Sequence, residues 1–170
     1  GWRAPGSAAL IGGQEDLTVF EGATGKALHT IYYNPNRDGG YGGAASGTEL
    51  NWDDREGRQD YVATYGNRGN RFLAAVAYLD GPDKLPSAVM CRGYYTYSYL
   101  WAVDFDGEKL KHKWLHASVS KTQVELTDAD WNVTSRTYDS NTFGTNDFYT
   151  AYSQGNHNIS VADVDGDGCD

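Results

Sequence analysis

The last residues of the chain form an acidic segment whose composition and spacing suit a metal ion. Asp163, Asp165 and Asp167 alternate with other residues, Gly168 follows them, and Asp170 is a fourth aspartate. This order matches the start of the D-x-D-x-D-G calcium loop, in which alternate carboxylates of a tight turn point at one oxygen-preferring cation. The alternative is a solvated acidic turn without an ion. We expect Ca²⁺, because carboxylates this close repel one another unless a cation neutralises them.

A histidine comes shortly before these aspartates. His157 leads into the run from Ile159 to Val164, which we predict to be a strand. Side chains alternate along a strand, so His157 would lie on the same side as Asp163. His157 is therefore a candidate metal or substrate ligand. A histidine that is bonded only to backbone at a strand end fits the same pattern equally well. The spacing of the four histidines does not fit a zinc site.

Short β-rich runs separated by turn residues must position these groups, because no window keeps helical periodicity for three turns. The dipeptide Thr24-Gly25 predicts a hairpin between a strand at 17–20 and a strand at 27–33. Four further runs with a hairpin signal between each pair predict an antiparallel meander. These runs are residues 72–79, 87–92, 97–105 and 109–115.

The meander has the size of one propeller blade, roughly 40–50 residues, and residues 17–22 weakly repeat residues 101–107. We therefore predict an all-β fold, in which β-propeller blades of four antiparallel strands carry long loop insertions. Residues 1–170 would be a partial propeller domain of a longer protein. Within it we expect the latter strands of one blade in 7–33, an insertion in 34–70, a complete blade in 71–116, an insertion in 117–157, and the start of the next blade with the calcium loop in 158–170.

Charge and hydropathy exclude two classes of partner. The chain has 14 basic and 23 acidic residues and a net charge of −9, which argues against a general nucleic-acid binder. The longest apolar-rich run, residues 72–79, is far shorter than the roughly 20 residues that cross a bilayer.

The first residues do not have the pattern of a signal peptide. Cys91 and Cys169 do not form a disulfide framework.

Four segments resemble polysaccharide lyase family eleven, the rhamnogalacturonan endolyases. They are residues 65–68 (YGNR), 71–81 (RFLAAVAYLDG), 89–96 (VMCRGYYT) and 155–168 (GNHNISVADVDGDG). The resemblance implies an eight-bladed, calcium-rich β-propeller that cleaves the rhamnose–galacturonate backbone of rhamnogalacturonan I by β-elimination. It also implies Ca²⁺ as cofactor, an acidic plant polysaccharide as partner together with the remaining parts of the same propeller, and a secreted, cell-surface or periplasmic location.

The candidate substrate-binding residues are basic or aromatic, since guanidinium groups bind carboxylates and aromatic rings stack on sugars. Arg92 stands at a strand end before Gly93, where it would face a cleft or form an ion pair between blades. The tyrosines that follow would contact sugar or pack within the strand. The set is Arg92, Tyr94, Tyr95, Arg68 and Trp52. Arg71 is a further candidate, but it opens a strand, which favours a structural role. We assign no catalytic base.

Departures from the family pattern leave the function open to an alternative. Asn70 stands where the family resemblance leads us to expect Asp, Tyr97 stands in place of Arg, and the insertion at 53–64 is longer than expected. These differences concern the substrate subsites. The alternative function is a non-catalytic, calcium-stabilised propeller for carbohydrate binding or adhesion, because Asp-rich loops also occur in such proteins. An isolated piece with open blade edges would expose unpaired strands and could be inactive.

Overall fold

The computed structural model describes residues 15–35, 71–95, 97–118, 122–138 and 156–170. In these ranges the chain forms eight strands in two antiparallel sheets and no helix, so the all-β prediction is confirmed. No described helix is long and apolar enough to cross a membrane. The strands are β1 (Asp16–Phe20), β2 (Ala27–Tyr32), β3 (Phe72–Ala77), β4 (Ser87–Arg92), β5 (Ser98–Phe105), β6 (Leu110–Ser118), β7 (Gln123–Thr127) and β8 (Val133–Thr137).

The smaller sheet is the predicted hairpin of β1 and β2. Its turn is closed by two backbone hydrogen bonds, from the Gly25 amide to the Glu21 carbonyl (2.8 Å) and from the Glu21 amide to the Lys26 carbonyl (2.8 Å). Gly25 has a φ of 72°, a conformation that glycine adopts without a side-chain clash. The Thr24-Gly25 signal therefore located this turn correctly.

The larger sheet is a meander in which β3 to β8 follow one another in chain order. Its first four strands confirm the predicted meander, with bounds that differ from the prediction by at most three residues. The β3–β4 and β5–β6 connections contain Gly81 (φ 90°) and Gly107 (φ 101°), as the acidic-glycine turn signals predicted. The hydrophobic face of these central strands lies against the smaller sheet.

Two predictions about irregular structure and strands were wrong. Residues 117–157 were predicted to be an insertion, but β7 and β8 lie within this stretch and extend the sheet to six strands, beyond the four expected of one blade. The run from Ile159 to Val164 was predicted to be a strand, but in the structure it pairs with no described strand. Two of its hydrogen bonds are local: the Ile159 amide donates to Oδ1 of Asn158, and Oδ1 of Asp163 accepts from the Gly166 amide. The first predicted run, residues 7–11, and most of the first insertion lie outside the described residues.

The core joins the two sheets through aromatic side chains. Trp101 is fully buried, and the Tyr33 ring meets it edge-on at a centroid distance of 5.4 Å. Tyr33 also contacts the Phe72 ring at 5.1 Å. The amide of Leu110 at the start of β6 donates a hydrogen bond to Nδ1 of His29 in β2 (3.1 Å). The core cluster comprises Tyr33, Tyr99, Trp101, Val103, Leu115 and Ala117.

Candidate functional site

The acidic segment is an exposed loop that brings three carboxylates together. In the described residues, one ligand oxygen from each of Asp163, Asp165 and Asp167 lies within 4.8 Å of the other two. Oxygen ligands at such separations suit a hard cation, and Ca²⁺ takes several carboxylate and carbonyl oxygens at 2.3–2.6 Å. The donor set therefore fits the calcium ion that the sequence motif predicts, although the presence of the ion stays a prediction.

Backbone amides of the loop bond to its first aspartate. Gly166 donates to Oδ1 of Asp163 (2.7 Å), and Gly168 donates to Oδ2 (2.9 Å). The hydrogen bonds from Gly168 and Gly166 lower the pKa of the Asp163 carboxyl from its ordinary value. Both glycines have positive φ angles, 78° and 89°, which lets the chain turn tightly around the carboxylate. Asp163 therefore remains ionised well below neutral pH.

The loop is docked on the end of β3 by a pair of hydrogen bonds. The amide of Tyr78 donates to Oδ2 of Asp170 (2.6 Å), and the amide of Asp170 donates to the Tyr78 carbonyl (3.2 Å). Two residues further along the chain, Asp80 accepts from Nζ of Lys113, which also bonds to Asp104 of β5. The β3–β4 turn thus connects the acidic loop to the middle of the large sheet.

His157 lies beside two tyrosines and an arginine. The ring centroid of Tyr94 is 5.2 Å from that of His157 and 4.3 Å from that of Tyr95, and Tyr95 lies 6.3 Å from His157. The guanidinium carbon of Arg71 lies 5.4 Å from the centroid of the Tyr94 ring. We call these four residues, Arg71, Tyr94, Tyr95 and His157, the tyrosine surface. Three of them are exposed and Tyr94 is half-buried.

Two unusual backbone conformations present the tyrosine rings. Gly93 has a φ of 105°, and a Cβ at this position would lie 1.9 Å from the Tyr97 carbonyl oxygen, so no other residue fits. Tyr95 has a φ of 54°, which is rare for a residue with a side chain and is found most often at functional sites. The Gly93 amide donates to the Arg71 carbonyl (3.1 Å), which connects this turn to the start of β3.

Asn156 attaches the His157 segment to the sheet. Its side-chain amide donates to Oγ of Ser98 (3.2 Å) and contacts Sγ of Cys91 (3.7 Å). Burial raises the pKa of the Cys91 thiol, and the contact with Asn156 opposes this effect in part. Cys91 is thus held as a neutral, partly buried thiol beneath the segment.

Arg92 has a structural position. Its side chain is 1% exposed and donates two hydrogen bonds to the Glu15 carboxylate (2.5 and 3.0 Å) and one to the Pro35 carbonyl (2.7 Å). Its guanidinium carbon also lies 4.8 Å from the centroid of the Phe72 ring. The geometry matches the ion-pair alternative, here between the two sheets, while contact between Arg92 and substrate stays a prediction.

The structure brings together some of the predicted site residues and separates others. Tyr94, Tyr95 and His157 form one cluster, whereas His157 is not part of the group of three aspartates. The strand that was to align His157 with Asp163 is absent, so that argument for a metal ligand was wrong and the metal role of His157 stays a prediction. Arg68 and Trp52 lie outside the described residues.

Sequence reasoning missed two contributions to this region, because Glu15 and Asn156 were not singled out. Arg71 was a candidate for substrate contact, although its position at the start of a strand favoured a structural role. Each of these residues contacts a partner that is far away in the sequence, at a separation of between 23 and 77 positions. The pairs are Arg71–Tyr94, Asn156–Ser98, Asn156–Cys91 and Glu15–Arg92. No local spacing pattern reports contacts of this range.

Comparison with known proteins identifies close relatives. The sequence model described as rhamnogalacturonan lyase family 11, C-terminal domain, matches residues 3–170. Rhamnogalacturonan exolyase YesX of Bacillus subtilis (strain 168) is 41% identical over 162 residues, and rhamnogalacturonan endolyase YesW of the same strain is 38% identical over 161 residues. Each alignment covers 95% of this chain and 19% of the relative.

Solved structures agree with the sequence match. The crystal structure of exotype rhamnogalacturonan lyase YesX matches with a TM-score of 0.55 and 39% identity, covering 94% of this chain and 19% of that one. A rhamnogalacturonan lyase of Bacillus licheniformis matches with a TM-score of 0.56 and 40% identity, covering 94% and 20% of the two chains. This chain thus spans about a fifth of the length of these relatives. Because the family model covers almost the whole chain, the chain belongs to rhamnogalacturonan lyase family 11.

Proposed function

We propose that the full-length protein is a polysaccharide lyase that cleaves the rhamnose–galacturonate backbone of rhamnogalacturonan I by β-elimination. The observation that carries the proposal is the match of residues 3–170 to the family. YesX and YesW differ in exo and endo action. The proposal therefore uses what their names share, which is lysis of rhamnogalacturonan.

Electrostatics gives the acidic loop a role in this proposal. The substrate carries a carboxylate on every second sugar and the chain has a net charge of −9, so the two repel. Asp163, Asp165 and Asp167 would hold Ca²⁺ through their carboxylate oxygens. When bound, the ion supplies positive charge that inverts the local potential towards an anionic sugar.

The reaction needs a base that removes the C5 proton of the uronate, after which the bond between C4 and the leaving oxygen breaks. We assign no residue of this chain to that role. Tyr94 and Tyr95 are the described residues best placed to contact sugar rings, since both belong to the exposed cluster with His157. The proposed roles of Arg68 and Trp52 rest on sequence alone.

The larger architecture and the location belong to the same proposal. A meander of short antiparallel strands suits propeller blades, although a sheet of six strands in chain order is larger than one blade. The eight-bladed propeller, the secreted, cell-surface or periplasmic location and assembly with the remaining parts of the propeller rest on the family resemblance.

The ultraviolet absorbance of unsaturated uronate products tests the proposal. The full-length protein should generate this absorbance from rhamnogalacturonan, lose the activity in a calcium chelator and regain it with added Ca²⁺. Asp163→Ala should raise the calcium concentration needed for half-maximal activity, whereas Asp130→Ala, an exposed aspartate of the β7–β8 turn, should not. Binding of the polymer without product would favour the non-catalytic alternative, and a protein that neither binds nor cleaves it would refute the proposal.

A further inference from the structure

We infer that Arg71 binds a uronate carboxylate of the polymer and so selects for acidic sugars at the tyrosine surface. The inference rests on the proposed function and adds a specificity residue to it. Arg71 immediately precedes β3, and its exposed guanidinium lies over the ring of Tyr94. The sequence alone favoured a structural role for this arginine, so the inferred role rests on its position among the other side chains.

Among the described residues, the charge of Arg71 has no acidic partner. No described carboxylate lies within ion-pair distance of its guanidinium, in contrast to Arg92, which is bonded to Glu15. A planar guanidinium can donate two parallel hydrogen bonds to one carboxylate. The position of the guanidinium over the Tyr94 ring restrains the Arg71 side chain, so that less conformational freedom is lost when a ligand binds.

The neighbouring rings suit the other part of the ligand. The side chain of Tyr95 is 36% exposed, and its ring lies next to those of Tyr94 and His157. Flat rings with a polar edge can stack on the apolar face of a sugar while their polar atoms bond to its hydroxyls. A guanidinium beside such rings matches a polymer in which uncharged and acidic sugars alternate.

The surface is also held in place before any ligand binds. The positive φ angles of Gly93 and Tyr95 fix the turn that carries the tyrosines, and the Gly93 amide is bonded to the Arg71 carbonyl. Asn156, which precedes His157, is bonded to Ser98 of β5. Elements from three separate parts of the chain thus meet at one place, as expected for a preorganised binding surface.

The test compares Arg71→Ala with Arg136→Ala, an exposed arginine of β8, in the full-length protein. The substrate is rhamnogalacturonan, and the competitor is the same polymer with its uronate carboxyls reduced to alcohols. Arg71→Ala should raise KM by roughly 10- to 100-fold, the effect of losing a charged hydrogen-bonded pair, with kcat changed less than about threefold. The inhibition constant of the reduced polymer should not change, Arg71→Lys should recover part of the loss, and Arg136→Ala should behave as wild type.

The possible failures can be told apart. An active wild-type protein whose KM is unaffected by Arg71→Ala overturns this inference and leaves the proposed function intact. An equal loss of affinity for the native and the reduced polymer also overturns it, since that pattern indicates a structural role. If the wild type binds without cleaving, the same comparison is made on dissociation constants. A wild type that neither binds nor cleaves the polymer overturns the proposed function and this inference together.

Discussion

The guanidinium of Arg92 connects the two sheets. It is buried between the residues around β1 and the start of β3, where Glu15, the Pro35 carbonyl and the Phe72 ring surround it. A charge removed from water to this extent is tolerated only with a partner and further hydrogen bonds. The bond to Glu15 crosses 77 positions of sequence, so it holds together segments that the chain itself does not keep close.

Loss of this pair should destabilise the protein markedly. Arg92→Ala removes the guanidinium that pairs with the Glu15 carboxylate, which is 15% exposed. Removing one member of a buried ion pair costs about 3–5 kcal/mol, and we expect the lower end because Glu15 keeps some contact with water. Urea unfolding followed by circular dichroism measures the change. The double variant Glu15→Gln with Arg92→Met should recover part of the loss, because neither residue is then charged; a single variant as stable as wild type would contradict the role.

For single residues, the sequence predicts where a side chain lies in the fold better than it predicts what the side chain does. Arg92 could be placed at a strand end from the turn signal of Gly93, but both an ion pair and a substrate contact fitted that place. The choice depends on Glu15, which no local pattern connects to it. The three aspartates of the acidic loop, in contrast, were found because their ligand geometry is created by adjacent residues.

The β7–β8 hairpin is anchored by a ring stack. Trp131 in its turn lies parallel to His112 of β6, with a centroid distance of 3.6 Å and an interplanar angle of 13°. Nδ1 of His112 accepts a hydrogen bond from Nε1 of Trp101 (3.0 Å), so the ring proton of the neutral histidine is on Nε2, which donates to the Asp128 carbonyl (2.7 Å). A second proton on Nδ1 would remove the acceptor that Trp101 uses.

Stability of this hairpin should therefore fall in mild acid. Burial lowers the pKa of His112 from its ordinary value of 6.5, and the effects of Asp128 oppose this in part. In mild acid the unfolded hairpin then binds more protons than the folded hairpin. The contribution of neutral His112 to stability is therefore complete above about pH 6.5, and it is lost as the pH falls through the lower pKa that His112 has in the folded state. Amide hydrogen exchange of β7 and β8, corrected for intrinsic rates, should accelerate between about pH 7 and pH 5.

A histidine nearby provides the control. Burial also lowers the pKa of His116, which lies in the same strand and contributes with the same sign. His116→Gln should keep most of the acceleration in the hairpin, whereas His112→Gln should remove most of it, because the hairpin residue Trp131 stacks on His112. Exchange in β7 and β8 that is equally slow across the range would contradict a titration of His112.

The β3–β4 turn and the acidic loop behave as one element, because Asp170 bonds to both backbone polar groups of Tyr78. Asp170→Ala removes the side-chain bond without removing any of the three clustered carboxylates. We expect roughly a three- to tenfold loss of calcium affinity, corresponding to one hydrogen bond that orders the loop. Isothermal titration with CaCl₂ measures this. Asp83→Ala, an exposed aspartate of the same turn, should have no effect; equal losses in both variants would indicate a general charge effect.

The elements themselves were largely predictable where turns are marked by glycine. β7 and β8 were missed although Val124 and Leu126 alternate with polar residues and an Asp- and Asn-rich turn follows them. The reverse error occurred at 159–164, where alternating residues resemble a strand. In the structure the acidic loop and the bond between Asp170 and Tyr78 determine the course of this segment, and it pairs with no described strand.

At the scale of the whole molecule, the chain spans 19% of the length of YesX, so most of a protein of that length would lie outside it. The all-β class could be predicted because alternation and turn residues recur along the sequence. The arrangement of the sheets could not be predicted, since it depends on contacts between residues far apart in the sequence, such as His29 with Leu110. The first strand of the large sheet, β3, has an exposed apolar surface. Phe72, Val76 and Tyr78, which directly follows the strand, are 40%, 64% and 43% exposed.

These three residues lie on one face of β3 and its continuation, at the edge of the described sheet. They place an apolar stripe beside backbone groups of β3 that pair with no further described strand. Produced alone, the 170-residue chain should self-associate and bind a hydrophobic dye, whereas the full-length protein should not, because its other parts cover the stripe. Val76→Lys should reduce the association of the isolated chain measured by analytical ultracentrifugation. Val133→Lys is the matched control, since Val133 is 55% exposed on β8, at the opposite edge of the sheet. A monomeric isolated chain without dye binding would mean that the stripe needs no cover, and equal effects of both variants would mean that added charge, rather than the stripe, governs association.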